Sequence, residues 1–327
     1  LIARPALHPL INFWMGVAAL TAADDSIALA GGGSTPRLSL TVNGITVAVA
    51  PELGGKVISL IGPDGVDRLS RSTRAYRPRT MDMPYGDSEF DGLDEIFPTL
   101  ATVPAGPETP AIPDHGDAWR LPWHTIDGPG LTLSVDGKVL PYRLTRSITI
   151  EQETVTFSYR LVNIGDKDLP WTYCFHPLFT LGTGVELEIA AQDTVRVMSS
   201  GGDFLGDGAT NYPWKDLLDG PLAGHTAVPG RGRFWKAILV APQQRSVRLR
   251  WRDGAAITMA WTGEHLRHAG IWSTEGAILD GLQHIAIEPS NAVEDRLDQA
   301  ISAGTAAKLS PGSSATWTVS ITWDQQK

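Results

Sequence analysis

The stretch Leu38-Ser39-Leu40-Thr41-Val42-Asn43-Gly44-Ile45-Thr46-Val47-Ala48-Val49 shows most directly how this chain folds. Apolar residues alternate with polar or small residues on both sides of Asn43-Gly44. An Asn-Gly pair between two alternating runs is the strongest short signal for a β-hairpin. The segment therefore predicts two antiparallel strands joined by a tight turn.

The same period of two recurs along the chain and predicts strands far more often than helices. The 34 glycines and 23 prolines favour many turns between short elements. Together these features predict an all-β fold, a large antiparallel β-sandwich with few short helices. Further strands are predicted at 57–61, 131–135, 142–150, 155–161, 185–189, 195–198, 234–240, 247–251 and 317–323.

Two helices are predicted. Near the C-terminus, Asn291 can cap a helix, Glu294 has capping-box spacing and Gly304 can end it. A short helix is predicted at 91–96, within residues 68–111, where little periodicity indicates long loops. Long ordered loops in a compact domain are usually functional, so the site is expected on loops and strand ends.

Residues 36–327 are expected to form one domain, because no Pro/Gly-rich linker divides them. Residues 1–35 are interpreted as an N-terminal extension, with Gly31-Gly32-Gly33-Ser34 as a flexible joint. Residues 10–23 are apolar and rich in small residues, which is typical either of a signal-peptide remnant or of a flexible added segment. A cytoplasmic location is expected, with a periplasmic or secreted one if residues 1–23 are a signal remnant.

Charge and composition argue against nucleic-acid binding, membrane association and disulfide bonding. The net charge of −9 disfavours nucleic acid and anionic membrane surfaces as partners, because both require a basic face. No apolar run reaches about 18 residues, so no membrane span is predicted. Cys174 is the single cysteine, so no intrachain disulfide can form, and it is interpreted as a small buried hydrophobe. The expected partner is a small molecule, and the expected state is a monomer or homodimer.

Glu288 ends an apolar run in His284-Ile285-Ala286-Ile287-Glu288-Pro289-Ser290. A carboxylate there is costly unless it is paired or serves a site. His176 lies in the apolar stretch 171–181 and carries an imidazole that titrates near neutrality. The ordinary alternatives are a buried glutamate with hydrogen-bond donors and a core histidine.

His115 lies in Asp114-His115-Gly116-Asp117. Asp114 or Asp117 can orient the imidazole, and Gly116 allows a backbone or ligand to approach closely. The ordinary alternative is an exposed histidine in a turn.

No metal site or cofactor is expected. The sequence has no His-Glu-x-x-His, no cysteine pair and no Gly-rich phosphate loop. The 11 tryptophans suit the apolar faces of sugars, although most are expected to pack in the sandwich. Trp119 and Trp272 fall close to the histidine and glutamate segments and are candidates for sugar binding.

Several segments together resemble the aldose 1-epimerase, or galactose mutarotase-like, superfamily. Each motif is weak alone, but they occur in the expected order across residues 36–325. They are Pro51-Glu52-Leu53-Gly54-Gly55-Lys56-Val57-Ile58-Ser59-Leu60, Gly92-Leu93-Asp94-Glu95-Ile96-Phe97-Pro98-Thr99, Asp114-His115-Gly116, His176-Pro177-Leu178-Phe179-Thr180-Leu181, and Ile287-Glu288-Pro289 with Leu309-Ser310-Pro311-Gly312.

The resemblance implies a β-supersandwich and an isomerase that interconverts the α and β anomers of a free sugar. Glu288 would take the proton of the anomeric hydroxyl, and His176 would protonate the ring oxygen. His115 would polarise the sugar near the anomeric carbon. The remaining residues expected to bind substrate are Asp94, Glu95, Asp114, Trp119 and Trp272.

One region departs from the family pattern. Where relatives carry an Asn-Arg pair or an Arg-Gly-Gly segment, residues 87–95 are acidic. This argues against a phosphorylated sugar at that subsite. Two alternatives therefore stay open: a sandwich enzyme acting on a glycoside or other sugar derivative, and a carbohydrate-binding protein without catalysis.

Overall fold

The structure is a computed structural model, and it describes residues 26–201, 205, 210–220, 222, 227–278 and 281–324, together with the backbone of 19–21. Residues 1–18 and 22–25, which include most of the possible signal remnant at 1–23, lie outside the described residues. None of the described helices is long and apolar enough to cross a bilayer.

Within the described residues, the largest sheet has eleven strands, and each neighbouring pair is antiparallel. Their order across the sheet is β1 (Ala19–Thr21), β4 (Leu38–Val42), β5 (Ile45–Ala50), β6 (Lys56–Ile61), β7 (Leu93–Ile96), β13 (Cys174–Thr180), β21 (Gln283–Ser290), β20 (His268–Glu275), β17 (Phe234–Leu239), β15 (Thr194–Ser200) and β16 (Asn211–Pro213).

The second sheet has eight antiparallel strands in the described part of the chain. Their order is β14 (Val185–Glu188), β18 (Ser246–Trp251), β19 (Ala256–Thr262), β23 (Ser314–Trp323), β11 (Thr154–Asn163), β10 (Tyr142–Glu151), β9 (Leu131–Asp136) and β8 (His124–Thr125).

Small elements complete the described fold. Two short ribbons pair β2 (Ser26–Ala28) with β3 (Ser34–Pro36) and β12 (Leu169–Trp171) with β22 (Ala307–Leu309). Glycines 31–33, expected to be a flexible joint, form the turn between β2 and β3. The helices are α1 (Trp214–Leu218), α2 (Leu297–Ala303) and 3₁₀ turns at Pro51–Leu53, Tyr85–Asp87 and Ala118–Arg120.

The main core lies between the two sheets. A single cluster of buried apolar side chains includes Val47 and Ile287 of the first sheet and Phe157 and Val319 of the second. Because side chains of a strand alternate between faces, each sheet buries one face against the other. The predicted antiparallel β-sandwich is confirmed.

The opening hairpin is confirmed, with Asn43 and Gly44 at φ 51° and 81°. The helix predicted at 91–96 is wrong, because β7 occupies Leu93–Ile96. Helix α2 ends at Gly304 as predicted but begins at Leu297. Asn291 does not cap it, since its side chain binds the backbone of Tyr173 and Trp171.

The pairing of five strands sets one row of side chains across the first sheet. Asp94 pairs with His176, and Gly270 pairs with Glu288. The flanking register of β13 and β21 places His176 opposite Glu288, and Lys56 lies beside Asp94 at the β6 end of the row. Neighbouring strands are ~4.8 Å apart, so these side chains meet although they are distant in sequence.

Candidate active site

A cavity of about 190 Å³ lies over this row, on the face of the first sheet that points away from the main core. It opens to solvent beside the segments that flank β7, at 85–92 and 97–101, and beside the loop at 113–117. Its wall combines aromatic rings with groups that can exchange protons or bear charge. The lining residues are Phe90, Leu100, Ala101, Asp114, His115, His176, Lys236, Trp272, Glu288 and Asp295.

His176 and Glu288 face each other on adjacent strands. Nε2 of His176 lies 3.5 Å from Oε1 of Glu288, and both side chains are almost fully buried. Burial raises the pKa of the Glu288 carboxyl to about 7, against the lowering effect of the Lys236 ammonium. Burial, reinforced by neighbouring cationic groups, lowers the pKa of His176 well below its usual value. The site thus holds an acid and a base whose charged forms are both disfavoured.

Gly270 makes room for the Glu288 carboxylate. A Cβ at Gly270 would lie 2.5 Å from Oε2 of Glu288. The thiol of Cys174 lies 3.7 Å from the same oxygen, and burial raises the pKa of that thiol well above its usual value. Cys174 is buried, as predicted, and it forms part of the packing behind the carboxylate.

Lys236 brings a cation to the cavity and is held by Asp295. Its Nζ lies 2.7 Å from both carboxylate oxygens of Asp295. Burial disfavours the ammonium, but Asp295 and Glu288 outweigh this effect and raise the pKa of Lys236. The Asp295 carbonyl accepts hydrogen bonds from the amides of Leu100 and Ala101, which fixes the cavity rim to the segment before α2.

His115 stands on the rim in a left-handed backbone conformation, with φ 61°. Its Nδ1 lies 2.9 Å from the Asp114 carboxylate, one of the two aspartates expected to orient it. Burial opposes ionisation of Asp114, but the hydrogen bond from His115 lowers the pKa of that carboxyl. At Gly116 a Cβ would lie 1.9 Å from the Phe97 carbonyl oxygen, so the predicted close approach is that of a backbone.

Tyr85 lies beneath both histidines and is buried. Its ring stacks on His115 with centroids 3.7 Å apart. Its hydroxyl lies 3.3 Å from Nδ1 of His176 and donates to Oδ2 of Asp94 at 3.1 Å. Lys56 donates to the same Asp94 oxygen at 2.8 Å. The row therefore continues as a polar chain from Lys56 to Glu288.

Trp272 and Phe90 supply the aromatic wall of the cavity. Nε1 of Trp272 donates to Nε2 of the buried His284 at 3.1 Å, which orients the indole ring. Phe90 stacks on the same imidazole with centroids 5.9 Å apart. Burial lowers the pKa of His284 to about 3, so the imidazole stays neutral and Nε2 accepts the hydrogen bond from the indole N–H.

Five of the eight residues expected to form the site line this cavity: His115, His176, Glu288, Asp114 and Trp272. The structure does not bring the other three to its wall. Asp94 lies beside His176 on the neighbouring strand, where its carboxylate accepts from Tyr85 and Lys56. Trp119 is buried edge-on against Tyr85 and under the guanidinium of Arg120.

Glu95 lies on the opposite face of the sheet from the cavity. It accepts hydrogen bonds from Arg146 at 2.9 Å and from the hydroxyls of Tyr159 and Tyr173 at 2.7 Å each. The physical reason is that successive residues of β7 point to opposite faces, so Asp94 and Glu95 cannot both face one ligand. Glu95 belongs to a buried network between the sheets.

Sequence reasoning missed four residues near the reacting groups: Tyr85, Phe90, Lys236 and Asp295. Lys236 carried a signal, because it interrupts the apolar strand Phe234–Leu239 between Trp235 and Ala237. Tyr85 and Phe90 lie in irregular loop segments, where periodicity gives no indication of direction.

No group of three or more His, Cys, Asp or Glu side chains among the described residues is arranged to hold a metal ion. No protein-family model and no curated protein matches the sequence. Solved structures do match over most of their length. A proposed aldose 1-epimerase from Klebsiella pneumoniae is 14% identical with a TM-score of 0.68, covering 94% of this chain and 87% of its own.

Two other structures match similarly. A proposed aldose 1-epimerase from Escherichia coli K12 is 15% identical with a TM-score of 0.63, covering 95% of this chain and 100% of its own. A galactose mutarotase-like protein from Clostridium acetobutylicum is 15% identical with a TM-score of 0.62, covering 92% of this chain and 98% of its own. This chain therefore has the β-sandwich fold of the aldose 1-epimerase and galactose mutarotase-like structures, as its motifs predicted.

Proposed function

We propose that this protein is an isomerase that interconverts the α and β anomers of a free sugar. The observation that supports this most is the pair formed by His176 and Glu288, 3.5 Å apart on the floor of an open cavity. Opening a pyranose ring needs one group that accepts a proton and one that donates a proton. A buried pair with a carboxyl pKa of about 7 supplies both near neutral pH.

The reaction is balanced without a cofactor. One group of the pair takes the proton of the anomeric hydroxyl while the other gives a proton to the ring oxygen. The bond between the anomeric carbon and the ring oxygen breaks, and an open-chain aldehyde forms. Rotation about the C1–C2 bond presents the other face of the aldehyde, and reclosure returns both protons. Each positioned proton transfer contributes about 10²- to 10⁴-fold to the rate.

The size and wall of the cavity support a monosaccharide as the substrate. Its volume of about 190 Å³ is below the ~300–1,000 Å³ of pockets that bury drug-sized ligands. Trp272 and Phe90 offer apolar surface to the C–H faces of a sugar, and His115 with Asp114 offers hydrogen bonds at the rim.

Charge favours an unphosphorylated sugar. Among the described residues that line the cavity there is no arginine, and Lys236 is already paired with Asp295. Asp114 and Glu288 add further carboxyl groups to the same wall. A phosphate group would meet more negative than positive charge here, which agrees with the acidic loop at 87–95.

Polarimetry tests this proposal directly. Freshly dissolved α-anomers of several aldoses, and of their 6-phosphates, are followed with and without protein. We expect faster approach to the equilibrium rotation for at least one free sugar. If no sugar in the panel is accelerated, the isomerase proposal fails, and measurable sugar binding would then favour the carbohydrate-binding alternative.

Glu288→Gln provides the matched test of the site. It keeps the size of the side chain but removes its ionisation, so the accelerated rate should fall by at least ~10²-fold while sugar binding persists. Glu264→Gln makes the same chemical change at an exposed position and should leave the rate unchanged. Equal rates for the wild type and Glu288→Gln would exclude Glu288 from the reaction.

A further inference from the structure

Lys236 and Asp295 form an ion pair in the cavity wall that keeps hydrogen-bonding capacity for a ligand. Nζ of Lys236 lies 2.7 Å from each carboxylate oxygen of Asp295. An ammonium has three donors, and this pairing uses at most two of them. Each carboxylate oxygen has a further lone pair, so Asp295 can accept another hydrogen bond. Both residues line the cavity, and 15% and 32% of their side chains are exposed, so a ligand can reach both charged groups.

A remaining donor beside a remaining acceptor suits a neutral hydroxyl group. The hydroxyl oxygen can accept from Nζ of Lys236 while its proton goes to the carboxylate of Asp295. Both hydrogen bonds are charge-assisted and are therefore stronger than bonds between neutral groups. The two charges already neutralise each other, so the pair offers little net attraction to a phosphate or to another cation. It is therefore suited to one hydroxyl of a sugar.

The register of the first sheet sets where this pair lies relative to the reacting groups. Across the sheet, β13 carries His176 and β21 carries Glu288, and β20 and β17 follow in that order. Lys236 of β17 pairs with Trp272 of β20. Trp272 is two residues from Gly270, which pairs with Glu288, so these side chains share one face of the sheet. His176 and Lys236 therefore lie on opposite sides of Glu288.

The bonds of the anomeric carbon relate these positions to the sugar. In the roles implied by the family resemblance, Glu288 meets the anomeric hydroxyl and His176 meets the ring oxygen. The ring oxygen and C2 are the two ring neighbours of the anomeric carbon, so they lie on opposite sides of it. With the ring oxygen toward β13, C2 and its hydroxyl point toward β17, where Lys236 and Asp295 lie. Trp272, beside Lys236 in the sheet, offers apolar surface to the ring.

We propose that Lys236 and Asp295 form a specificity-determining subsite for the C2 hydroxyl, so that the preferred substrate is an aldose with a free hydroxyl at C2. This inference rests on the proposed function, because the place of C2 follows from where the anomeric hydroxyl and the ring oxygen lie. Loss of the C2 hydroxyl should lower kcat/KM by ~10- to 100-fold. The loss is smaller than in a pocket whose polar groups are left unpaired, since Lys236 and Asp295 keep each other.

A comparison of three sugars in two proteins tests the subsite. Polarimetry, corrected for the spontaneous rate, gives kcat/KM for an accelerated aldose and for its 2-deoxy and 6-deoxy analogues, with the wild type and with Lys236→Met. The wild type should use the 2-deoxy sugar ~10- to 100-fold less well than the aldose. In Lys236→Met these two values should agree within about threefold, whereas the discrimination against the 6-deoxy sugar should not change. Lys308→Met makes the same change at an exposed position and should discriminate as the wild type does.

The ratio for the two sugars separates a contact with the hydroxyl from a general effect of charge. The Lys236 ammonium also lowers the pKa of Glu288, so its removal can change the rate, but by the same factor for both sugars. Equal ratios in the wild type and in Lys236→Met would overturn the proposal. Asp295→Asn is a second variant that keeps the size of the side chain. It should also weaken the discrimination at C2, because a charged acceptor becomes a neutral one.

Calorimetry distinguishes failure of this subsite from failure of the isomerase proposal. If the wild type accelerates no aldose, the isomerase proposal fails, and the affinities for glucose or galactose and for the matching 2-deoxy sugar then decide about the subsite. A ~10- to 100-fold weaker affinity for the 2-deoxy sugar that disappears in Lys236→Met would support it. Equal affinities in the wild type, or no measurable binding of either sugar, would refute it.

Discussion

Glu288 and His176 are two titratable groups that burial pushes in opposite directions. Burial raises the pKa of the carboxyl to about 7 and lowers the pKa of the imidazole well below its usual range. Because the two groups are in contact, they titrate as a pair, and in the proposed reaction the active form is the one that holds a single transferable proton between them. Either partner can then act as the acid while the other acts as the base.

The pH dependence of kcat/KM follows from this pair. Above a pH of about 7 the pair loses its proton and has no donor, so kcat/KM should fall, approaching tenfold per pH unit. Well below the usual pKa of histidine, protonation of His176 should remove the acceptor. Polarimetry across the range, corrected for the spontaneous rate, gives the profile. A rate that rises through neutrality to a plateau would instead require Glu288 to act as the ionised base.

Gly270 controls the space available to the Glu288 carboxylate. The added Cβ of Gly270→Ala would lie 2.5 Å from Oε2, so the carboxylate must leave its present position opposite His176. Activity should fall at least tenfold, while the fold persists because the obstructed group is the end of a side chain. Gly106→Ala, where nothing lies within 4 Å of the new Cβ, should keep full activity. Equal activities of both variants would show that the carboxylate position is not critical.

At the scale of single elements, most strands were predictable because period two is local. Strand β11 and strand β23, for example, alternate over ten residues each and pair along nearly their whole length. Strand β7 was not predictable, because its four residues include Asp94 and Glu95, both of low strand propensity. Tertiary pairing with β13 and the ion pairs on both faces override that local preference.

The predicted start of α2 at Asn291 was wrong for a related reason. Asn291 and Glu294 have the spacing of a helix start, but both side chains find other partners. Asn291 binds the backbone of the strand region near β12, and Glu294 accepts from Thr305. Of the three residues, only Gly304 has the predicted role, because it ends the helix. Its φ of 72° is the left-handed conformation of a helix C-cap, which glycine adopts readily.

The position of Glu95 on β7, facing Arg146 between the sheets, indicates that it contributes to stability. Glu95→Gln removes the charge that neutralises the fully buried Arg146. Leaving a buried charge without its partner costs about 3–5 kcal/mol, so the free energy of unfolding should fall by that order. Glu188→Gln makes the same change in an exposed carboxylate that pairs with Arg248 and Arg250, and it should cost ~1 kcal/mol or less. Urea denaturation measures both; similar losses would place Glu95 outside a buried network.

At the scale of the whole molecule, the site exists only because distant segments share a register. Lys56, Asp94, His176, Gly270 and Glu288 lie on five strands that span more than 200 positions of the chain. The motifs indicated that the two histidines and the glutamate act together. Which face each strand turns to the cavity depends on long-range pairing, so Lys236 was missed and Glu95 was misplaced.

Buried neutral histidines make the stability of the whole molecule sensitive to acid. Burial lowers the pKa of His284 to about 3, whereas an unfolded chain binds this proton at about 6.5. A lowered pKa contributes stability that is present above the unfolded value and is lost as pH falls toward the folded value. When the pH falls from about 7.5 to about 5, the contribution of His284 to the free energy of unfolding should therefore decrease by about 2 kcal/mol.

His284→Gln isolates this contribution. The amide oxygen of glutamine can still accept from Nε1 of Trp272, but glutamine does not titrate. Urea denaturation at both pH values should show a loss on acidification that is about 2 kcal/mol smaller than in the wild type. His124→Gln, at an exposed position, should retain the loss seen in the wild type. If His284→Gln and the wild type lose equal stability, His284 is not held neutral by the folded sandwich.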